Sequence, residues 1–222
     1  MVQFVTILAA LASLGASTVF AAPSGGVTIK IQNKCGNKLQ VNQMTNGGGS
    51  QSVSVAAGGS TTFNVAPNWG GRVWAREGCD GGADCDAGAP ASLAEFLFKG
   101  ANGEDYYDVS FVDGYNLPIS ISPNGQSGNG YSCGSPTCAS LPECPSELQH
   151  TGAGGSSCKS ACSAFGTDEY CCTGAAGRGV CTDNAYSSKV KAVCPDVYTY
   201  ANDDSSSMYA CKSDGYTVTF CP

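Results

Sequence analysis

The sequence predicts an all-β protein: an antiparallel β-sandwich carrying a disulfide-rich lobe. Three observations predict it. Short runs of alternating apolar and polar residues recur along the first half, the pattern of strands with one buried and one wet face. Thirty glycines and ten prolines in 222 residues punctuate those runs with turns and leave little room for long helices. Fourteen cysteines, an even number, all follow an apolar leader, which points to an oxidising compartment and a disulfide framework.

The strands can be placed in order. Val27, Ile29 and Ile31 alternate with Thr28, Lys30 and Gln32, giving a first strand with one apolar face. Leu39–Met44 follows the Cys35-Gly36-Asn37 turn and is expected to pair back on it. Gly47-Gly48-Gly49 and Gly58-Gly59 break the chain before the Val53/Val55 and Phe63/Val65 runs. In Gly70–Arg76, residues Arg72, Trp74 and Arg76 share one face and Val73 and Ala75 the other. In Tyr106–Tyr115, Tyr107, Val109 and Phe111 share a face opposite Asp108 and Ser110, and Asp113-Gly114 reads as a turn. Ile119/Ile121 and Tyr216/Val218/Phe220 supply two further strands.

Composition changes near residue 130. Nine of the fourteen cysteines lie between Tyr131 and Cys194, with little strand periodicity and helical stretches expected at Ser160–Phe165 or Asn184–Val193. Large apolar residues are too sparse there for a second independent core, so crosslinks must hold this lobe together. Metal binding is disfavoured, because no Cys-x-x-Cys occurs and the adjacent Cys171 and Cys172 suit two staples better than one tetrahedral zinc.

The leader, residues 1–21, reads as a secretory signal peptide: an apolar run from Phe4 to Leu14, then small residues and Val19-Phe20-Ala21. The run is too short to span a bilayer. A net charge of −7 argues against nucleic acid and anionic lipid as partners. No Asn-x-Ser/Thr sequon occurs, no EF-hand spacing accompanies Asp203-Asp204, and the Gly-Gly runs lack the Lys-Ser/Thr of a phosphate loop. No metal or cofactor is expected. His150, the only histidine, sits in a Gly/Ser-rich stretch and reads as an exposed loop residue.

Six motifs in order are more specific: Trp74–Cys79 (WAREGC), Leu93–Phe96 (LAEF), Tyr107–Pro118 (YDVSFVDGYNLP), Thr167–Cys172 (TDEYCC), Cys194–Tyr200 (CPDVYTY) and the terminal Phe220-Cys221-Pro222. Through them the chain resembles the thaumatin-like family from about Val27 to Pro222. The resemblance implies a flattened sandwich of about eleven strands with an acidic cleft between sandwich and lobe. It also implies the disulfides Cys35–Cys221, Cys79–Cys85, Cys133–Cys211, Cys138–Cys194, Cys144–Cys158, Cys162–Cys171 and Cys172–Cys181. Spacing alone leaves that connectivity open. The expected organisation is signal peptide 1–21, sandwich 22–130 with a small stapled loop at 79–90, cysteine-rich lobe 131–194, and return strands 195–222. The 79–90 loop is shorter than in plant-type members and lacks two of their cysteines, which hints at a non-plant source.

The family's acidic-cleft set maps onto Arg72, Glu95, Asp108, Asp113 and Asp204, with Asp203 an alternative to Asp204 one residue away. Carboxylates accept hydrogen bonds from sugar hydroxyls, and aromatic rings cover the apolar faces of pyranoses. Trp74, Phe96, Tyr106 and Tyr115 are candidates for such rings, or for ordinary core. Glycoside hydrolysis needs one protonated and one ionised carboxyl group. Clustered carboxylates raise the pKa of one member while an arginine keeps another ionised. Glu95 is thus assigned as general acid and Asp113 as base or nucleophile, with Arg72, Asp108 and Asp204 binding substrate or tuning charge.

The resulting expectation is a secreted, extracellular or cell-wall monomer that binds β-1,3-glucan or a related cell-wall polysaccharide, with weak endo-β-1,3-glucanase activity, in wall remodelling or antifungal defence. The alternative is a protein-binding defence role, inhibiting a hydrolase or permeabilising a membrane, through loops 79–90 and 143–158. Taste-receptor binding goes with basic members of the family and does not suit this acidic chain.

Overall fold

The computed structural model describes residues 26–79, 83–86, 88–152, 154–175 and 181–222. The expected leader, 1–21, lies outside them, as do residues 80–82 and 87 of the stapled loop.

Thirteen strands run in chain order among the described residues: β1 (Val27–Asn33), β2 (Leu39–Thr45), β3 (Ser50–Val55), β4 (Ser60–Val65), β5 (Gly70–Glu77), β6 (Leu93–Leu97), β7 (Asp105–Ser110), β8 (Ile119–Pro123), β9 (Thr137–Cys138), β10 (Gln149–Gly152), β11 (Gly155–Cys158), β12 (Tyr209–Cys211) and β13 (Gly215–Phe220). Eleven of them form two sheets, ordered β4-β1-β13-β8-β9 and β12-β7-β6-β5-β2-β3. The remaining pair, β10 and β11, is a separate hairpin.

The two sheets pack face to face because each strand turns its apolar side inward. Ile29 and Ile31 of β1, Ile119 and Ile121 of β8, and Val218 and Phe220 of β13 meet Leu39 and Val41 of β2, Val73 and Ala75 of β5, and Tyr107 and Val109 of β7 in one buried cluster. Phe98 stacks on Tyr216 at 5.4 Å between centroids, part of an aromatic chain through the centre. Residues of the opposite parity, Arg72, Glu95 and Asp108 among them, are thereby turned to the outer face of the six-stranded sheet.

The expected β1–β2 hairpin does not form. β1 is flanked by β4 and, in parallel, by β13, so it has no free edge. The chain crosses to the other sheet within residues 34–38, where β2 pairs with β3 and β5. Asn33 fixes that crossing: its amide donates to the carbonyls of Asn37, Val55 and Ala56 at 2.9–3.1 Å.

Seven disulfides join Cys35–Cys221, Cys79–Cys85, Cys133–Cys211, Cys138–Cys194, Cys144–Cys158, Cys162–Cys171 and Cys172–Cys181, leaving no free thiol among the described residues. β9 ties the start of the cysteine-rich stretch to the five-stranded sheet. Beyond it come the β10–β11 hairpin and the helices α2 (Ala161–Phe165), α3 (Asp168–Cys171), α4 (Ala185–Val193) and α5 (Asp204–Ser207), after α1 (Ala83–Asp86) in the stapled loop. Their starts follow local chemistry. Ser160 caps α2 by accepting from Ser163 N–H, and Asn184 with Ser187 forms a capping box on α4. No described helix is long and apolar enough to cross a membrane.

Candidate functional site

Three of the five candidate residues stand in one row. Arg72 on β5 is paired in register with Glu95 on β6, and Glu95 with Asp108 on β7. Residues in register on neighbouring strands project to the same face of a sheet, so the row is a direct consequence of strand pairing. Asp113 reaches the row from the turn after β7, where its Oδ2 accepts from Arg72 Nη1 at 3.2 Å.

That turn is held in place by a glycine. Gly114 has φ +107°, and a Cβ there would lie 2.2 Å from the Cys158 carbonyl and 2.7 Å from Pro90. Only a residue without a side chain lets the turn approach β11 this closely. The backbone of Tyr115 then exchanges two hydrogen bonds with Cys158, at 2.9 and 2.8 Å, which locks the Asp113 turn to the lobe.

The fifth residue arrives from the return segment. Tyr198 N–H donates to the Val109 carbonyl and Phe111 N–H to the Tyr198 carbonyl, both at 2.8 Å, laying residues 197–199 along the end of β7. The Tyr198 hydroxyl donates to Asp204 Oδ1 at 2.7 Å. The two adjacent aspartates differ sharply. Asp203 is 1 % exposed and is consumed by Lys191 Nζ at 2.9 Å and by Thr199 N–H and Oγ1. Asp204 is exposed, and its charge acts on Asp108.

Around the row lies a cleft of about 500 Å³, with Glu95, Asp108, Asp113, Ser110, Tyr198 and Asn202 among its walls. Its electrostatics follow from burial and like charge. Burial pushes the Glu95 carboxyl up, opposed by the Ser110 hydrogen bond and the Arg72 charge, with Asp113 adding to the rise. Asp108 is 6 % exposed, and burial, then Glu95 and Asp204, push it well above the usual carboxylate range. Its Oδ1 is buried without a hydrogen-bond partner among the described residues. Arg72 sits at the other end, its guanidinium 5.9 Å from the Trp74 ring centroid and its Nε buried and unpartnered among the described residues. The cleft therefore grades from an arginine–carboxylate ion pair at Arg72/Asp113 to a buried carboxyl group at Asp108 whose hold on its proton is strengthened. Such a surface can both donate to and accept from sugar hydroxyls.

The aromatic candidates divide differently. Phe96 and Tyr115 are buried in the main core, and Trp74 in a small cluster with Ala91 and Leu93. Tyr106 lies against the 100–103 turn, its hydroxyl 3.4 Å from the Ala101 carbonyl. None of the four lines the cleft, because strand parity turns Phe96 inward and the folded turn buries Tyr115. The ring that does line it is Tyr198, which sequence reasoning passed over although it lies in the Cys194–Tyr200 motif. Ser110 and Asn202 were passed over too, Ser110 despite sharing the face of Asp108. No group of three or more metal-ligating side chains occurs among the described residues.

Known proteins place this chain clearly. Residues 33–222 match the model of the Thaumatin family. The chain is 39 % identical to Thaumatin-like protein 1 of Pyrus pyrifolia over 95 % of its own length and 98 % of the relative's. It is 36 % identical to Pathogenesis-related protein 5 of Arabidopsis thaliana, covering 86 % of this chain and 89 % of that one. A Prunus avium protein named Glucan endo-1,3-beta-glucosidase is 36 % identical over 88 % of this chain and 90 % of its own. With its seven disulfides, its two packed sheets and these matches, the chain belongs to the thaumatin family.

Proposed function

We propose that this is a secreted β-1,3-glucan-binding defence or wall-remodelling protein, that the acidic cleft holds the glucan, and that the same cleft cuts it slowly. The observation that carries this reading is the Arg72–Glu95–Asp108 row, closed at one end by Asp113 and at the other by Tyr198 and Asp204. Support also comes from a relative named for β-1,3-glucan hydrolysis over nearly its whole length. Secretion is supported by the apolar leader and by the pairing of every described cysteine.

For binding, the neutral polymer would give hydroxyl protons to Asp113 and Asp204 and meet Asp108 at the buried end of the row, with the Tyr198 ring against a pyranose face. For cleavage, Glu95, whose hold on its proton is strengthened by burial, would pass that proton to the glycosidic oxygen as the bond to the anomeric carbon breaks. Asp113 would attack the anomeric carbon or take a proton from the water that does. Ser110, bonded to Glu95, would orient the acid.

The test is incubation of the pure protein with insoluble β-1,3-glucan, following protein left in solution and reducing ends released. Depletion with slow release is expected. Protein that stays in solution and releases no reducing ends would remove both halves and favour a protein-directed role for the loops.

A further inference from the structure

A second cavity, sharing no lining residue with the cleft, lies between the β10–β11 hairpin and residues 141–144. It is a groove of about 430 Å³, within the range of sites that hold small molecules. The hairpin reaches its place through Gly154, where a Cβ would lie 2.4 Å from Arg76 Cδ, and through the Tyr115–Cys158 backbone pair.

The groove's chemistry contrasts with that of the cleft. None of its lining residues is Asp, Glu, Lys or Arg, in a chain with eighteen acidic and eleven basic residues. Its apolar side is Leu141, Pro142 and the Cys144–Cys158 disulfide. Its polar side comes from both faces of the hairpin: Gln149, Thr151 and Ser156 on one, His150 and Ser157 on the other. Gln149 Nε2 donates to the Cys144 carbonyl at 3.3 Å, which leaves its Oε1 available. Ser157, 8 % exposed, has its Oγ buried with no partner among the described residues, an unmet hydrogen-bonding demand.

His150 is the groove's one side chain able to carry a positive charge, so an ionic ligand would find at most a single counter-charge here, and a purely apolar one would leave these polar groups unmet. A pyranose has an apolar ring face and a rim of neutral hydroxyls, which matches both sides of the groove. We propose that this groove is a second carbohydrate site, separate from the acidic cleft, taking a short neutral oligosaccharide. Its ligand class is argued from the groove's own side chains and does not depend on what the cleft does.

The test is backbone-amide NMR titration of the full protein with the β-1,3-linked glucose tetramer, the β-1,4-linked glucose tetramer, and tetragalacturonate as a charged control. A neutral tetramer is expected to shift the amides of 149–151 and 156–158, and tetragalacturonate is not. Ser157→Ala should weaken that response about 5-fold, the worth of one hydrogen bond, yet raise the thermal midpoint by removing an orphan hydroxyl. A Gln149→Ala/Thr151→Val variant should weaken it further, while Glu95→Gln/Asp113→Asn should leave it unchanged. Shifts confined to the cleft residues would overturn the groove site and leave the cleft standing; shifts confined to the hairpin would do the reverse. Hairpin shifts indifferent to both groove variants, or lost in the cleft variant, would also overturn it.

Discussion

Glu95 and Asp108 are directly opposed on adjacent strands, while the row's one cation, Arg72, stands on the far side of Glu95 and is engaged by Asp113. Two carboxyl groups facing each other away from water cannot both ionise cheaply.

A stability consequence follows for Asp108. Its pKa is raised above the ordinary 3.8, so the folded state keeps a proton that the unfolded chain releases. The stability this contributes is full below pH 3.8 and is lost as pH rises through the raised folded value. Asp108→Asn keeps the site neutral at every pH. The variant should match the parent near pH 3.5 and exceed it near pH 7, where the parent has lost its proton-linked stability. Thermal unfolding of both proteins across that range checks it.

The two adjacent aspartates should separate cleanly. Asp203→Ala strips Lys191, Thr199 and Ser206 of their shared partner and should cost about 3 kcal/mol, as for one half of a buried ion pair. Asp204→Ala removes an exposed carboxylate and should cost under about 1 kcal/mol while weakening glucan binding. Denaturant unfolding and glucan sedimentation, run on both variants, give the two readouts.

Gly114→Ala tests the placement of the Asp113 turn. The added methyl must displace the Cys158 carbonyl or Pro90, so destabilisation of about 2–3 kcal/mol is expected. The displaced turn would also pull Asp113 from Arg72, and glucan binding should fall even at temperatures where the variant is folded. A variant as stable and as active as the parent would contradict the packing described.

Crosslinks should contribute by the length of chain they close. Cys35–Cys221 spans 186 residues and Cys172–Cys181 spans nine. Replacing the first pair by alanines should cost about 5 kcal/mol and the second about 2.6 kcal/mol on chain-entropy grounds. Guanidinium unfolding of the two double variants checks the order.

How much of this was legible beforehand can be argued residue by residue. The alternation Val27/Ile29/Ile31 reports its own strand because period two is local, and so does the opposite parity of Tyr107 and Asp108. The partner of a strand is not local. β1 lies beside β13, from the far end of the chain, a pairing decided by the global core and missed in favour of a nearby hairpin. The acidic set was reachable only through resemblance, since isolated carboxylates carry no pattern; the register then brings Arg72, Glu95 and Asp108 into one row. Tyr198 was missed because its role depends on the return segment lying along β7, which no periodicity announces.

The most direct measurement is co-sedimentation with insoluble β-1,3-glucan of the parent protein beside Glu95→Gln and Asp113→Asn, each first shown to be folded by near-ultraviolet circular dichroism. If the cleft is the binding and cleaving site, Asp113→Asn should bind at least several-fold more weakly. Glu95→Gln should still bind but release no reducing ends. Parent-like binding and cleavage by both folded variants would contradict a glucan role for the row of charged residues on the outer sheet.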